Sequence, residues 1–226
     1  MNQRLEKILS YIENGTGVAD VGTDHAYLPI ELAKNAYTGH IFASDINEEP
    51  INLAKSNASE AGVAEKIEFC LCDGLEGCSP ESVDTIVIAG MGGDTIVGIL
   101  DRAEWCMDEK YTLLLQPMSK QEVVRYWLVY NEFEILNEDI VEEGDTLYQI
   151  IRARFGGETV LNDAELFTGE FEKAKTNSAF PKMLSMNLSR FSRALNSLKN
   201  TDKDMSGKIN LMQDILSQLQ AMEEKL

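Results

Sequence analysis

The stretch Val18-Ala-Asp-Val-Gly-Thr-Asp-His-Ala-Tyr-Leu-Pro29 decides the fold class of this 226-residue chain. Apolar and small residues lead into Asp20 and Gly22, and a helix-compatible run begins at Pro29. The stretch therefore predicts a strand, a tight turn and a helix N-terminus. In α/β proteins a turn of this kind binds a ligand.

The glycine pattern of this turn favours one class of cofactor. A dinucleotide-binding turn carries three glycines, but Asp24 and Ala26 stand at the second and third of these positions. A carboxylate there would repel a pyrophosphate held at the helix N-terminus. S-adenosylmethionine (SAM) has no phosphate and carries a sulfonium cation, so the pattern favours SAM over NAD or FAD.

Short apolar runs alternate with amphipathic segments as far as residue 155. Strands are expected at 17–21, 40–44, 67–72, 83–89, 111–115, 133–139 and 147–155, and helices at 2–14, 29–36, 48–61, 94–100 and 121–130. Asn47 and Asp94 are the expected caps of the third and fourth helices. The alternation predicts an α/β fold with a Rossmann-like, doubly wound, mainly parallel seven-stranded sheet. Because the last two strands are joined directly, one of them should run antiparallel.

Strand patterns end at Gly156-Gly157, which predicts a domain boundary between residues 1–156 and residues 157–226. Beyond it, apolar residues recur at steps of three and four in two segments separated by a polar connection at 200–207. They are Leu184, Leu188, Phe191, Leu195 and Leu198, then Ile209, Met212, Leu216 and Leu219. This spacing predicts a coiled-coil-like helical hairpin. Its role could be RNA contact, or packing and dimerisation alone.

The formal net charge of −18 argues at first sight against a nucleic-acid partner. The charge is unevenly distributed, because residues 173–199 contain six basic residues and no acidic one. A local basic face of this kind could bind a polyanion such as tRNA. From charge alone, a merely solvated helix is an equally good interpretation.

Two further expectations concern location and metals. No apolar run approaches the roughly 20 residues that span a bilayer, and the N-terminal residues lack the apolar core of a signal peptide. We therefore expect a cytoplasmic location and no membrane contact. The cysteines form no C-x-x-C pair and only two histidines are available, so we expect reduced thiols and no metal site. The cysteines are Cys70, Cys72, Cys78 and Cys106.

Polar residues follow the predicted strands in order. Asp20 and Gly22 end the first strand, Asp45 ends the second, Asp73 the third and the glycine-rich residues 90–93 the fourth. Ligands of doubly wound sheets bind at these carboxyl ends. Asp45 stands where a carboxylate accepts hydrogen bonds from ribose hydroxyls, and Asp73 could accept one from an adenine amino group. Singly, each aspartate could instead cap a helix or form a turn.

The expected SAM-binding residues share a place at a strand end or in the loop after it. They are Asp20, Gly22, Thr23, His25, Asp45, Ile46, Asp73, Gly74, Ala89, Gly90, Met91 and Pro117. Ile46 and Leu75 would enclose the adenine ring, while backbone groups near Gly22 and Gly90 would meet the amino-acid end of SAM. Arg4 could reach the SAM carboxylate, although a surface position is the better expectation.

Five motifs point to one family: Asp20-Val-Gly-Thr-Asp-His-Ala-Tyr-Leu-Pro29, Ser44-Asp-Ile-Asn47, Cys72-Asp-Gly-Leu75, Ile88-Ala-Gly-Met-Gly-Gly93 and Leu115-Gln-Pro117. Together they resemble the TrmK family of bacterial tRNA (adenine-N1)-methyltransferases. The resemblance implies a SAM-dependent enzyme that methylates N1 of an adenine in the D-loop region of tRNA. It also implies a Rossmann-like catalytic domain and a coiled-coil-like C-terminal domain.

The expected catalytic residues for that chemistry are Asp24, His25 and Tyr27. Attack by N1 makes the adenine cationic, and Asp24 could stabilise that charge or accept an amino proton. His25 could position the base, and Tyr27 could stack on it or hydrogen-bond to it. The alternatives are a helix cap for Asp24, a structural imidazole for His25 and a core aromatic for Tyr27.

Other features of the chain bear on the type of methylation and on RNA contact. Adenine-N6 methylation calls for an N/D-P-P-Y/F/W motif after the fourth strand, where this chain has Ala89-Gly-Met-Gly-Gly93. The chain therefore lacks the motif typical of methylation at N6.

Phe180 or Phe191 could stack on RNA bases while residues 173–199 hold the RNA backbone, although Phe191 also fits the apolar seam of the helical hairpin. Two other functions stay open: a small-molecule SAM-dependent methyltransferase with a dimerising helical arm, and a non-catalytic SAM-binding protein.

Overall fold

The structure is a computed structural model that describes residues 2–200 and 204–226. The described residues form one seven-stranded sheet, with β1 (Val18–Val21), β2 (Ile41–Asp45), β3 (Glu68–Leu71), β4 (Thr85–Gly92), β5 (Thr112–Ser119), β6 (Phe133–Glu143) and β7 (Thr146–Phe155). Their nine α-helices are α1 (Gln3–Leu9), α2 (Tyr27–Lys34), α3 (Glu48–Glu60), α4 (Gly93–Arg102), α5 (Gln121–Tyr130), α6 (Glu165–Thr168), α7 (Phe171–Ala174), α8 (Phe180–Lys199) and α9 (Ser206–Glu223).

The sheet has the strand order β3-β2-β1-β4-β5-β7-β6. The first five strands in this order run parallel, and β7 is antiparallel to both β5 and β6. The Rossmann-like, mainly parallel sheet is therefore confirmed, as is one antiparallel strand among the last two, β7, which lies between β5 and β6. Strand order reverses between β1 and β4, where doubly wound sheets bind their ligands.

The central strands are buried on both faces because helices cover both sides of the sheet. In β4, Ile86 and Ile88 pack with α4 and α5, whereas Val87 between them packs with α1, α2 and α3. All three side chains are fully buried. The continuous apolar run Ile86-Val87-Ile88 in the sequence reflects this burial on both faces.

Several element boundaries differ from the sequence-based expectation. Helix α2 begins at Tyr27 rather than Pro29, with Ala26 as its N-cap residue in a left-handed conformation. Helix α4 begins at Gly93, so Asp94 is not its cap but forms an ion pair with Lys120. Strands β4 and β5 are longer than expected because the glycine-rich segment stays paired to β5 through irregular register shifts.

The C-terminal helices form the expected hairpin. Side chains of α8 and α9 share a core with Ile140 of β6, so the hairpin packs against the end of the sheet. In α9 the buried residues are Ile215, Leu219 and Met222, of which the spacing argument selected only Leu219. Residues 201–203 of the predicted connection lie outside the described part of the chain.

A buried arginine joins the sheet to the segment that leads into these helices. Arg125 of α5 is 1% exposed and donates to Glu138 Oε1 in β6 over 2.7 Å. It also donates to Gln149 Oε1 in β7 over 2.6 Å and to the Leu166 carbonyl in α6 over 2.9 Å. One side chain of α5 thus joins α6 to two strands of the sheet, β6 and β7.

Candidate active site

A cavity of about 560 Å³ opens at the carboxyl ends of β1, β2, β3 and β4. Its volume lies in the range of small-molecule and cofactor sites. Thirteen residues selected from the sequence line it: Asp20, Gly22, Thr23, Asp24, His25, Tyr27, Asp45, Ile46, Asp73, Gly74, Ala89, Gly90 and Met91. The fold therefore brings four successive strand ends to one site, at the switch point of the sheet.

Three expectations about the cavity wall are wrong. Pro117 is buried in β5 and does not line the cavity, whereas its neighbour Met118 does. Leu75 is also absent from the wall, because it packs into the core at 4% exposure. Arg4 is not a surface residue: it is half-buried and lines the cavity.

The first loop of the site has an unusual backbone. Gly22, Asp24 and Ala26 all adopt positive φ angles, of 73°, 49° and 55°. Left-handed conformations cost energy for residues with a Cβ atom, so the surrounding structure must hold them in place. At Gly22 a Cβ atom would also lie 2.0 Å from Met91 Cε, so the flexible end of the Met91 side chain would have to move.

Neighbouring elements hold this loop on both sides. The amides of Gly22 and Thr23 both donate to the Ser44 carbonyl at the end of β2, each over 2.8 Å. Asn57 of α3 donates from Nδ2 to the His25 carbonyl over 3.1 Å. The loop is thus fixed by β2 and α3, which also shape the neighbouring part of the cavity.

Asp24, His25 and Tyr27 form a connected group at the mouth of the cavity. Asp24 Oδ2 lies 3.6 Å from His25 Nε2, and the His25 and Tyr27 rings stack at 5.1 Å with an interplanar angle of 14°. Tyr27 is 58% exposed, which excludes a core aromatic. Asp24 is not the cap of α2, because that position belongs to Ala26 and no side chain bonds there. The structural alternatives for Asp24 and Tyr27 are therefore not observed.

Asp20 is a buried carboxyl group in the cavity wall. It is 7% exposed, and burial raises its pKa from 3.8 to about 6, with a smaller contribution from the Asp45 charge. The Thr23 hydroxyl donates to Asp20 Oδ2 over 2.8 Å and opposes part of that rise. A buried anion of this kind favours a cationic ligand nearby.

Asp45 and Asp73 lie in less buried positions at the same edge. The Asn47 amide donates to Asp45 Oδ1 over 3.0 Å, which leaves Oδ2 of that carboxylate without a hydrogen bond from the described residues. Arg102 of α4 donates to Asp73 Oδ1 over 2.7 Å. Each carboxylate is oriented through one oxygen, so its second oxygen can accept from a ligand.

Arg4 was considered from the sequence as a possible contact of the SAM carboxylate, but the buried link that holds it, between α1, β4 and β5, was not predicted. Gln116 is fully buried, and its Oε1 accepts from Arg4 Nη1 over 2.7 Å and from the Gly90 amide over 3.2 Å. The Arg4 guanidinium also lies over the Tyr148 ring, 5.1 Å from its centroid, while Arg4 Nε is buried without a partner. The sequence carried one sign of this link, because Gln116 is a polar residue that directly follows an apolar run and would need a hydrogen-bond partner if buried.

The four cysteines are free thiols. Burial raises the pKa of the Cys78 and Cys106 thiols to about 12, so both are poor nucleophiles.

Within residues 2–200 and 204–226, no three His, Cys, Asp or Glu side chains are grouped as metal ligands. None of the helices in these residues combines the length and the apolar character of a membrane span.

Comparison with known proteins agrees with this geometry. Residues 1–151 match the model of a methyltransferase-domain family. The tRNA (adenine(22)-N(1))-methyltransferase of Bacillus subtilis (strain 168) is 29% identical over 96% of this chain and 97% of its own length.

Two solved structures are similar over nearly the whole chain. Streptococcus pneumoniae Sp1610 in complex with SAM is 30% identical, with a TM-score of 0.81 over 96% of this chain and 99% of the other. M. capricolum TrmK in complex with S-adenosyl-homocysteine is 28% identical, with a TM-score of 0.82 over 98% and 96% of the two chains. The chain therefore belongs to the methyltransferase-domain family and, within it, to the TrmK family of SAM-dependent methyltransferases.

Proposed function

We propose that this protein transfers the methyl group of SAM to N1 of an adenine in the D-loop region of tRNA, the adenine at position 22 as in its Bacillus subtilis relative. The observation that carries the proposal is the meeting of four strand ends at one cavity, with an exposed Asp24-His25-Tyr27 group at its mouth. The same reaction supports a cytoplasmic location, because tRNA is modified there.

The cavity has the features that a cationic, phosphate-free cofactor requires. SAM supplies an activated methyl group. Asp45 would accept hydrogen bonds from its ribose hydroxyls, and Asp73 one from its adenine amino group. Asp20 and the remaining cavity residues would hold the methionine part, with Ile46 against the adenine ring. The charge of Asp20 compensates a sulfonium or ammonium group, which offsets the cost of its own burial.

Arg4 would bind the carboxylate of the cofactor. Its guanidinium lines the cavity and is held by Gln116, and one buried nitrogen of the group lacks a partner in the described residues. Arginine is suited to bidentate binding of a carboxylate. Because Gln116 also accepts from the Gly90 amide, it would align Arg4 with the backbone that faces the same end of the cofactor.

The loop that carries Asp24 would act on the target base. N1 of adenine is a lone-pair nucleophile, so alignment with the methyl group can supply most of the rate enhancement. Asp24 would stabilise the positive charge that develops on the ring or accept an amino proton. Tyr27, exposed and already stacked on His25, would extend this stack onto the base. The glycine-rich residues 90–93 would leave room for the base plane.

We also propose that residues 1–156 carry out catalysis and that residues 157–226 contact the tRNA. Two details of the expected contact are wrong. Phe180 is fully buried and Phe191 is 5% exposed, so neither can stack on RNA bases. Both belong to the core that holds the hairpin against the sheet.

Incubation with unmodified tRNA and labelled SAM tests the proposal. We expect label in the tRNA and one new reverse-transcription stop at the target adenine, because an N1-methyl group blocks Watson–Crick pairing. Asp24→Ala should reduce turnover by about 10²-fold or more while SAM still binds. Label in a small molecule but not in tRNA would favour the small-molecule alternative. SAM binding without transfer to any acceptor would favour a non-catalytic protein.

A further inference from the structure

The basic residues of the helical region differ in how far their charge is neutralised. Three lysines between residues 173 and 199 form ion pairs with glutamates: Lys173 with Glu170, Lys175 with Glu172, and Lys182 with Glu142. Arg190 and Arg193 of α8 form no ion pair with any described residue. Their charge is therefore available to a ligand.

Arg190 and Arg193 line one groove of about 430 Å³ between α8, the start of α5 and the start of β7. The groove is also lined by three neutral side chains that can form hydrogen bonds, Gln121, Gln149 and Asn187. No Asp or Glu is among the described residues that line this groove, although the chain contains 38 acidic residues. Three other surface grooves formed by described residues each include at least one carboxylate. This groove is thus suited to a polyanion.

Both arginines are oriented before any ligand binds. The Arg190 guanidinium lies 5.7 Å from the Phe167 ring centroid and 5.8 Å from that of Phe191. Arg193 donates from Nε to the Ser189 carbonyl over 3.2 Å, and no described residue accepts from its terminal nitrogens. Guanidinium groups fixed in this way lose little entropy on binding phosphate oxygens.

The groove begins beside the cofactor cavity. Met118 lines the cavity and Gln121 lines the groove, and three residues of chain span at most roughly 11 Å. In β7, Leu147 and Gln149 line the groove, whereas Tyr148 between them points to the opposite face of the sheet and supports Arg4 of the cavity. The groove and the cavity therefore lie at the same edge of the sheet, within reach of one extended RNA backbone.

We infer that this groove binds the sugar–phosphate backbone of the tRNA near the target nucleotide. The inference rests on the proposed function and assigns the RNA contact to one face of α8. Arg190 and Arg193 bind phosphates, while the amide side chains of Gln121 and Asn187 accept and donate to ribose hydroxyls. Contacts of this kind position the substrate without reading its sequence, so they do not depend on which bases lie there.

The test compares two double variants that remove the same charge. Arg190→Gln with Arg193→Gln removes the groove cations, and Lys175→Gln with Lys182→Gln removes two ion-paired cations outside the groove. Binding of unmodified tRNA is measured by fluorescence anisotropy over a range of salt concentrations. The arginine variant should bind about 10-fold or more weakly near physiological salt, with a salt slope smaller by about 1.4 to 1.8. The lysine variant should bind as the wild type does.

Further measurements separate the possible outcomes. SAM affinity by calorimetry should be unchanged in both variants, which shows that the cavity is intact. Arg190→Lys with Arg193→Lys keeps the charge and the apolar stem of each side chain but not the guanidinium groups, so it should bind more tightly than the glutamine variant and less tightly than the wild type. Equal losses in the two glutamine variants, or no loss in either, would overturn the inference. A wild-type protein that does not bind tRNA would instead refute the proposed function.

Discussion

Because Asp20 is buried, we expect its replacement by asparagine to raise the stability of the protein and to lower its affinity for SAM. Burial raises the pKa of this carboxyl from 3.8 to about 6. The folded protein therefore binds more protons than the unfolded chain between these values, and stability falls as pH rises through this window. Above pH 6 the ionised carboxylate costs the folded state roughly 3 kcal/mol, at about 1.4 kcal/mol per pKa unit.

Asp20→Asn removes this cost and keeps the shape of the side chain. The amide oxygen of Asn can still accept from the Thr23 hydroxyl, a contact of 2.8 Å in the structure. Urea unfolding should show a stabilisation of up to about 3 kcal/mol at pH 8 that decreases to about 1.5 kcal/mol at pH 5. SAM should bind about 10-fold to 100-fold more weakly, because a hydrogen bond to a charged group contributes about 1.5–3 kcal/mol.

Asp24→Asn is the matched control. The Asp24 side chain is 67% exposed, so the same chemical change should alter stability by less than about 0.5 kcal/mol at either pH. The reasoning is refuted if Asp20→Asn destabilises the protein at pH 8, or if its effect on the free energy of unfolding is the same at pH 5 and pH 8.

Three further predictions concern the loop, the core and the thiols. Gly22→Ala should destabilise the protein by about 1–2 kcal/mol in urea unfolding, since φ is 73° there; an unchanged midpoint would contradict the strain argument. Arg125→Ala leaves Glu138 buried without its partner and should cost about 3–5 kcal/mol, whereas a loss below 1 kcal/mol would show that the pair is dispensable. Cys106 should be alkylated only on unfolding, because its pKa is about 12, and rapid labelling of the native protein would contradict this.

The sequence predicted the sheet and most of the cavity because both depend on local order along the chain. Strand ends in a parallel sheet meet at one edge, so Asp20, Asp45 and Asp73 could be placed together before their distances were known. The hairpin followed from apolar spacing in the same way. Strand lengths were less predictable, since pairing with β5 extends β4 through a glycine-rich segment that has low strand propensity.

What the sequence missed depends on contacts between distant residues. Arg4 reaches the cavity only because Gln116 and Tyr148, more than 100 residues away, hold it there. The left-handed conformation of Asp24 and Ala26, which places a carboxylate at the mouth instead of at the helix cap, is likewise imposed by neighbouring elements. Arg190 and Arg193 could be listed as basic residues, but only the structure distinguishes them from their ion-paired neighbours.

The most direct test of the proposed reaction uses tRNA in which 1-deazaadenosine replaces the target adenosine. This analogue has a C–H group in place of N1 and keeps the exocyclic amino group. We expect the purified protein to methylate the natural tRNA, to bind the modified tRNA with similar affinity, and to transfer no methyl group to it. Methyl transfer to the 1-deazaadenosine nucleotide, detected by mass spectrometry of the digested RNA, would contradict attack by N1.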